Sequence, residues 1–378
     1  MIRLPILPIL TALVPLLGAC ADSSNTGQTD AAVPRWSGAV DLTLESPNGK
    51  DSALGSVSGL AVDGTGRVVL ADEQRNRVAV FDSAGHLLYS IGQRGSRPGE
   101  FDHPCCLAFD HAGVLWLRDA GNMRYNRYEL GPTAAQFRGQ TPMTGIAGPY
   151  AAPLTFDASH HVVDVGTYTS GAQSGLVRFH LDSAGQVARI DSIVAPGSDS
   201  LGQLRVSRGT ASALLAQPYG ARFLVAPLPG GGWARAISSH YNVAWTIESD
   251  SNRTVTVRRD LIGPALSARE RSRADSALKR DAAKIGLTES QTPFGVPGSK
   301  TPVKEIFFDQ LGRLWVQLNV GDGELSRADV YNQGGRRVGN AEWPADVDLQ
   351  SGFVGERVAY GLRTDSLGRA SIVRVRFR

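Results

Sequence analysis

The chain has 378 residues, with 39 Lys and Arg against 36 Asp and Glu and a formal net charge of +3. A balance this even lacks the electrostatic footprint of a nucleic-acid binder. The densest basic stretch, 269–280, is interleaved with Glu270 and Asp275 in the manner of a solvated helix face. Hydrophobic residues at 42% are ample for a core, and length alone suggests two domains, but the repeats below favour one.

The first twenty residues read as a bacterial export signal. Arg3 is the only charge, and the apolar run 4–17 is too short to span a bilayer as a helix. Pro5, Pro8 and Pro15 make it a poor helix. It ends in Leu17-Gly18-Ala19-Cys20, the form of a lipoprotein cleavage box. The alternative is an ordinary secretory signal with a chance cysteine. The polar run 21–30 favours a tether, so the division is a signal peptide over 1–19, lipidated Cys20 and a flexible tether over 20–35, and one folded domain over 36–378. This places the chain on the bacterial cell envelope, at the outer membrane, with its domain in the periplasm or at the cell exterior. The lipid anchor is then its sole membrane contact, and export leaves no nucleic acid as a natural partner.

Beyond the tether, residues 39–45 form an isolated strand pattern. A repeating unit follows. Asp63 and Asp110 are 47 residues apart, as are Asp72 and Asp119, Arg77 and Arg124, and Phe81 and Tyr128. A fixed period of this length, built of short apolar runs and Asp/Gly/Ser turns, indicates propeller blades. Blade one covers 57–92 and blade two 104–139. Blade three opens at Leu154-Thr155-Phe156-Asp157, has His160-His161 in place of the glycine turn, and carries an outer hairpin over 177–185. Blade four, degenerate, is expected over 221–260 with strands at 222–227, 233–239, 243–248 and 254–259. Blade five contains 306–316 and the turn 331–335. Blade six contains 357–363, the turn 365–368 and 372–378. Residues 195–217 read as loop. Ser267-Ala268-Arg269-Glu270 is a capping box that opens a helix closed by Gly286, within an insertion over about 264–286. Its apolar stripe is Ala274, Ala277/Leu278, Ala282 and Ile285. Blade six lacks an obvious fourth strand, and pairing 39–45 there would close the ring and hide an edge. The expected fold is therefore all-β: a six-bladed β-propeller with one inserted α-helix and an N-terminal strand closing the last blade.

Between blades one and two lies Gly92-Gln93-Arg94-Gly95-Ser96-Arg97-Pro98-Gly99-Glu100-Phe101-Asp102-His103-Pro104. Its pattern G-x-x-G-x-x-x-G-x-F-x-x-P, with the D-x-x-x-x-R pairs Asp72/Arg77 and Asp119/Arg124, resembles the NHL-repeat family of six-bladed propellers. The helical insertion, Thr301-Pro302 and the motif Asp309 to Val316 resemble its exported bacterial lipoprotein branch. Good motifs cover blades one and two, blades three and five match in part, and four and six match in pattern only. The resemblance implies a fold and a compartment, with no reaction attached.

Cys105 and Cys106 are the cysteines left once Cys20 carries lipid, in an oxidising compartment. Either they form a vicinal disulfide at the mouth of the central channel, presenting a rigid apolar surface to a ligand, or they are two separate thiols, one packed between blades. His103 precedes the same strand, so His103, Cys105 and Cys106 are the candidate ligand contacts. His103, His160, His161 and His240 are candidate metal ligands, because the resemblance extends to a lyase branch that assembles zinc from histidines of several blades. No H-x-H or H-E-x-x-H pattern supports this locally. The turn aspartates Asp63, Asp110, Asp157 and Asp309 recur once per blade, which suits turn capping and not catalysis. Trp116 and Trp315 are expected between blades. The function read from the sequence is a monomeric, lipid-anchored binding or scaffold module for a protein, peptide or glycan, without cofactor. The alternative is a metal-dependent lyase or lactonase-like hydrolase with zinc or calcium at the channel. Catalytic residues are not identifiable.

Overall fold

The structure is a computed structural model that describes residues 33–44, 56–144, 152–170, 173–197, 201–208, 211–247, 253–288, 291–292, 294–364 and 370–378. The signal segment, Cys20 and the turn 365–368 lie outside the described residues. Apart from one helix the chain is all-β, with its sheets arranged as in a propeller.

Strand β1 (Arg35–Leu44) precedes the first sheet, made of β2 (Val57–Val62), β3 (Val68–Asp72), β4 (Arg77–Phe81) and β5 (Leu87–Ile91) in sequential antiparallel order. The second sheet is β6 (Pro104–Phe109), β7 (Leu115–Asp119), β8 (Arg124–Leu130) and β9 (Ala135–Pro142). The third is β10 (Thr155–Phe156), β11 (Val162–Ser170), β12 (Gln173–Leu181) and β13 (Val187–Val194). A separate hairpin, β14 (Gln203–Arg208) with β15 (Ala211–Ala216), precedes the fourth sheet: β16 (Phe223–Pro227), β17 (Trp233–Ile237), β18 (Asn242–Ile247) and β19 (Arg253–Arg258). Helix α1 (Ala268–Lys284) comes next. Strands β20 (Val303–Phe308), β21 (Leu314–Leu318), β22 (Ser326–Tyr331), β23 (Arg337–Trp343), β24 (Val347–Val354), β25 (Val358–Thr364) and β26 (Ala370–Phe377) join β1 in one eight-stranded sheet. Within it β1 sits between β23 and β26. It runs parallel to β23 over Arg35–Ser37 and antiparallel to β26 from Gly38 to Leu44.

The expected pairing of the N-terminal strand with the C-terminal one is thus present. The loop expected over 195–217 is corrected: six residue pairs join β14 to β15. Leu204 and Leu215 pack there with Leu278, Ala282, Ile285 and Phe294, so a face that looks unsupported in sequence is covered by the helix inserted further along the chain. The helix begins as expected, with Ser267 and Glu270 capping one another's backbone, and it buries Ala274, Leu278 and Ala282.

The first strands of the sheets line the inside. β24 touches β2, β2 touches β6, and β16 and β24 both touch β20. Apolar residues fill each seam between consecutive sheets. Val78 and Val80 meet Leu115 and Leu117, and Trp116 and Tyr125 meet Val162 and Leu181. In the first three sheets and between β20 and β21, the turn between the first two strands is built by aspartate. Oδ1 of Asp63, Asp110, Asp157 and Asp309 each accepts two backbone N–H bonds of 2.8–3.0 Å, which leaves Oδ2 for a side chain. At Asp110 and Asp309 that second oxygen takes the indole N–H of Trp116 and Trp315, at 2.9 and 2.8 Å.

Candidate functional site

The connection from β5 to β6 and the turn from β3 to β4 meet at the end of the ring where the first strands begin. Between them lies a cleft of about 500 Å³ lined by Ser56, Glu73, Gln74, Asn76, Arg94, Asp102 and His103. Its wall is braced from below by Asp119, which is fully buried. Asp119 accepts hydrogen bonds from Asp102 N at 2.7 Å, Arg124 Nε at 2.9 Å and the side-chain amides of Asn122 and Asn126. Arg124 in turn donates to the carbonyls of Ser96, Arg97 and Glu100, so the Asp119–Arg124 pair holds the glycine-rich connection in place. A side chain at residue 121 would collide with the Asp102 carboxylate, and Gly121 makes the approach possible.

His103 has φ of 56° and donates its backbone N–H to Asn76 Oδ1 at 2.9 Å. Its Nδ1 lies 2.9 Å from Asp102 Oδ1 without a hydrogen bond between them, and 60% of its side chain remains exposed at the cleft. The chain passes directly from His103 through Pro104 into Cys105 and Cys106. The two sulfurs stand side by side, with Cα atoms 3.8 Å apart. Cys106 is buried at φ 59° and packs with Trp116, Tyr125 and Leu154, while Cys105 is half-buried. Alongside, Ser58 Oγ donates to Pro104 O at 2.6 Å, and a Cβ at Gly59 would stand 2.7 Å from Cys106 N. The inner strands of the first two sheets are therefore locked together immediately beside the cleft.

The candidate metal ligands are not brought together. His103 faces Asp102, and His160 stacks on His111. His161 Nδ1 is 3.1 Å from Asp157 Oδ2, and His240 Nδ1 is 2.9 Å from Ser239 Oγ. Among the described residues no three His, Cys, Asp or Glu side chains group as metal ligands.

Two buried charge clusters were not anticipated. In the third sheet, His180 is fully buried, with Asp157 Oδ2 at 2.8 Å from Nδ1 and Asp191 Oδ2 at 3.0 Å from Nε2. Arg178 pairs with both oxygens of Asp191 at 2.7 Å and lies over Trp233. Burial works to raise the Asp191 pKa, but hydrogen bonds from His180 and Arg178 outweigh it and hold the carboxyl well below its usual range. The second cluster joins Arg118, Tyr125 and Asp164 across the seam between second and third sheets. Burial there pushes the Asp164 pKa up against the pull of Arg118 and Tyr125. Both sets brace sheets and stand apart from the cleft residues.

No protein-family model matches the chain, and no curated protein sequence matches it. Among solved structures, the chain is similar to virginiamycin B lyase from Staphylococcus aureus at 10% identity and a TM-score of 0.44, covering 90% of this chain and 99% of that one. It is similar to a DUF4221 member from Bacteroides vulgatus at 9% identity and a TM-score of 0.44, covering 91% and 99%. A luciferin-regenerating enzyme gives 11% identity and a TM-score of 0.41, covering 89% and 95%. These are likenesses of overall form and say nothing of what the chain binds. Among the described residues no helix is long and apolar enough to cross a membrane.

Proposed function

We propose that the chain is a closed six-bladed propeller of the NHL type, lipid-anchored through Cys20 at the outer membrane, that binds a polar partner (a protein, peptide or glycan) in the cleft around His103. The six-blade reading takes the eight-stranded sheet as two blades that meet at β1. It is supported by apolar clusters shared by consecutive blades all the way round, including the seam that joins Leu44, Tyr360 and Ile372 to Leu60 and Phe81. Binding rests on one observation: the cleft draws hydroxyl, amide, carboxylate, guanidinium and imidazole groups from two neighbouring sheets onto a braced wall. Such a surface supplies donors and acceptors to an extended polar chain, and its rigidity lowers the ordering cost of binding. The Cys105–Cys106 disulfide adds a stiff apolar edge.

A second reading rests on the Asp102–His103 contact. An exposed imidazole beside a carboxylate supplies the groups of a general base, which a lactonase-like hydrolase or lyase with zinc or calcium would use. Probing glycan and peptide arrays with the whole chain separates the two. The binding reading expects a retained ligand recovered unaltered, with retention lost in Glu73→Gln and His103→Ala. A ligand recovered cleaved, with cleavage abolished in His103→Ala, would establish the enzyme instead. Retention indifferent to both substitutions would overturn the choice of cleft.

A further inference from the structure

The cleft carries two opposite charges that the fold does not use. Glu73 and Arg94 both line it. Among the described residues neither side chain pairs with the other, and neither makes a hydrogen bond or ion pair with a neighbour. The other charges nearby are committed. Arg75 and Arg77 pair with the buried Asp72, and the Asp102 carboxylate lies against His103 and Gly121.

The repeat shows that neither free charge is needed to build a blade. One period later the pair Asp72/Arg77 returns as Asp119/Arg124, and Gly92 returns as Gly139. Glu73, Gln74 and Arg94 instead give way to Ala120, Gly121 and Thr141. A turn requirement recurs from blade to blade, whereas a ligand site is needed once. The backbone beneath both charges is fixed. Glu73 N donates to Ser56 O at 3.0 Å, and Arg94 bridges to Phe101, whose N–H donates to Gln93 O at 2.8 Å. In the same lining Asn76 and His103 are held left-handed at φ 50° and 56°. Backbone strain of this kind gathers at ligand sites.

We propose that the cleft holds a zwitterion, an inference that rests on its reading as a binding site. Glu73 takes an ammonium, Arg94 takes a carboxylate in its planar fork, and the side-chain amides of Gln74 and Asn76 serve the polar chain between. That is the chemistry of a free amino acid or of a short peptide with both ends unblocked. A volume of about 500 Å³ suits a small ligand. A neutral glycan would desolvate both charges without pairing either, which is costly.

The test titrates the whole chain in a calorimeter with alanine, dialanine and trialanine, and with trialanine acetylated at its amine or amidated at its carboxylate. The parent should bind free trialanine. Blocking either end removes a charge-assisted contact and should weaken binding about tenfold or more. In Glu73→Gln the acetylated and free peptides should bind alike, while amidation still weakens. In Arg94→Gln the amidated and free peptides should bind alike, while acetylation still weakens. Alanine that binds as tightly as trialanine supports the zwitterion and assigns it to an amino acid; tighter trialanine assigns it to a peptide. Blocked ends that bind as well as free ones, or variants that do not erase the matching dependence, would overturn the proposal. A glycan retained through His103, with none of these probes bound, would overturn the zwitterion and leave the cleft a binding site.

Discussion

Arg118 in the second sheet and Asp164 in the third form an ion pair sealed from solvent, completed by Tyr125, whose hydroxyl donates to Asp164 Oδ2 at 2.6 Å. One period earlier in the chain the positions of Arg118 and Tyr125 are held by Ala71 and Val78, both buried. The first repeat thus fills the same space with apolar atoms. Desolvating two charges costs several kcal/mol per ion, and removal of one partner leaves the other buried and uncompensated. Arg118→Leu or Asp164→Leu alone should cost about 3–5 kcal/mol. The triple change Arg118→Leu, Tyr125→Phe, Asp164→Leu should recover most of that loss in urea denaturation. A triple variant no more stable than either single one would mean that the charges contribute net stability.

Two glycines of the same motif separate backbone strain from steric collision. Gly92 and Gly99 have nearly equal φ, 87° and 84°. A Cβ on Gly99 meets nothing within 4 Å, whereas one on Gly92 runs into the Phe101 ring, itself fully buried. Gly99→Ala should cost about 1–2 kcal/mol from conformation alone. Gly92→Ala should cost that plus about 1–3 kcal/mol of overpacking. Equal losses in chemical denaturation would show that Phe101 moves aside freely.

The repeat was readable because each turn carries its own chemistry. An aspartate three residues before a left-handed residue defines the turn wherever it occurs, and even His160 preserves it. The pairing of the N-terminal strand with the last one was readable from a missing partner strand. What stayed hidden depends on contacts distant in sequence. Asp164 gives no local sign that it faces Arg118, and the alternation of β14 and β15 acquires meaning only with Leu278 and Ala282 against it. Of the cleft, His103 was visible beside its elbow. Glu73, Gln74 and Asn76 were not, since they join it only once the first two sheets lie side by side.

Glu100 ties the glycine-rich connection by its carboxylate. It accepts hydrogen bonds from Arg97 Nε, Nη2 and backbone N and from Gln93, and these lower its pKa from 4.5 to about 2. The folded state favours the ionised form. The contribution is therefore complete above pH 4.5 and disappears as pH falls toward 2. Glu100→Gln should melt below the parent at pH 7, and the gap should close between pH 4.5 and 2. A gap that persists unchanged across that window would assign the loss to shape and not to charge.

The N-terminal strand determines whether the ring has an edge. β1 covers the outer side of β26 from Gly38 to Leu44, Asp41 pairs with both Arg374 and Arg376 at 2.8 Å, and Trp36 lies against Trp315 with Arg313 above it. A chain beginning at Ser56 would lose all of these. It would leave β26 with a row of unpaired backbone groups beside Ile372, Val373 and Val375, which is a template for another chain. Such a truncation should associate in sedimentation and melt well below the parent. Because a deletion of this size could fail through expression alone, Asp41→Lys gives a gentler version. It keeps the strand but sets a third positive charge against Arg374 and Arg376, whose pairing with Asp41 raises the Arg374 pKa and lowers that of Asp41. Its melting temperature should fall, and the fall should shrink in high salt as the repulsion is screened. A truncated chain that stays monomeric with an unchanged melting temperature would show that β26 needs no covering strand and that ring closure lies elsewhere, and a salt-indifferent Asp41→Lys would show that the Asp41 ion pairs do not hold β1 in place.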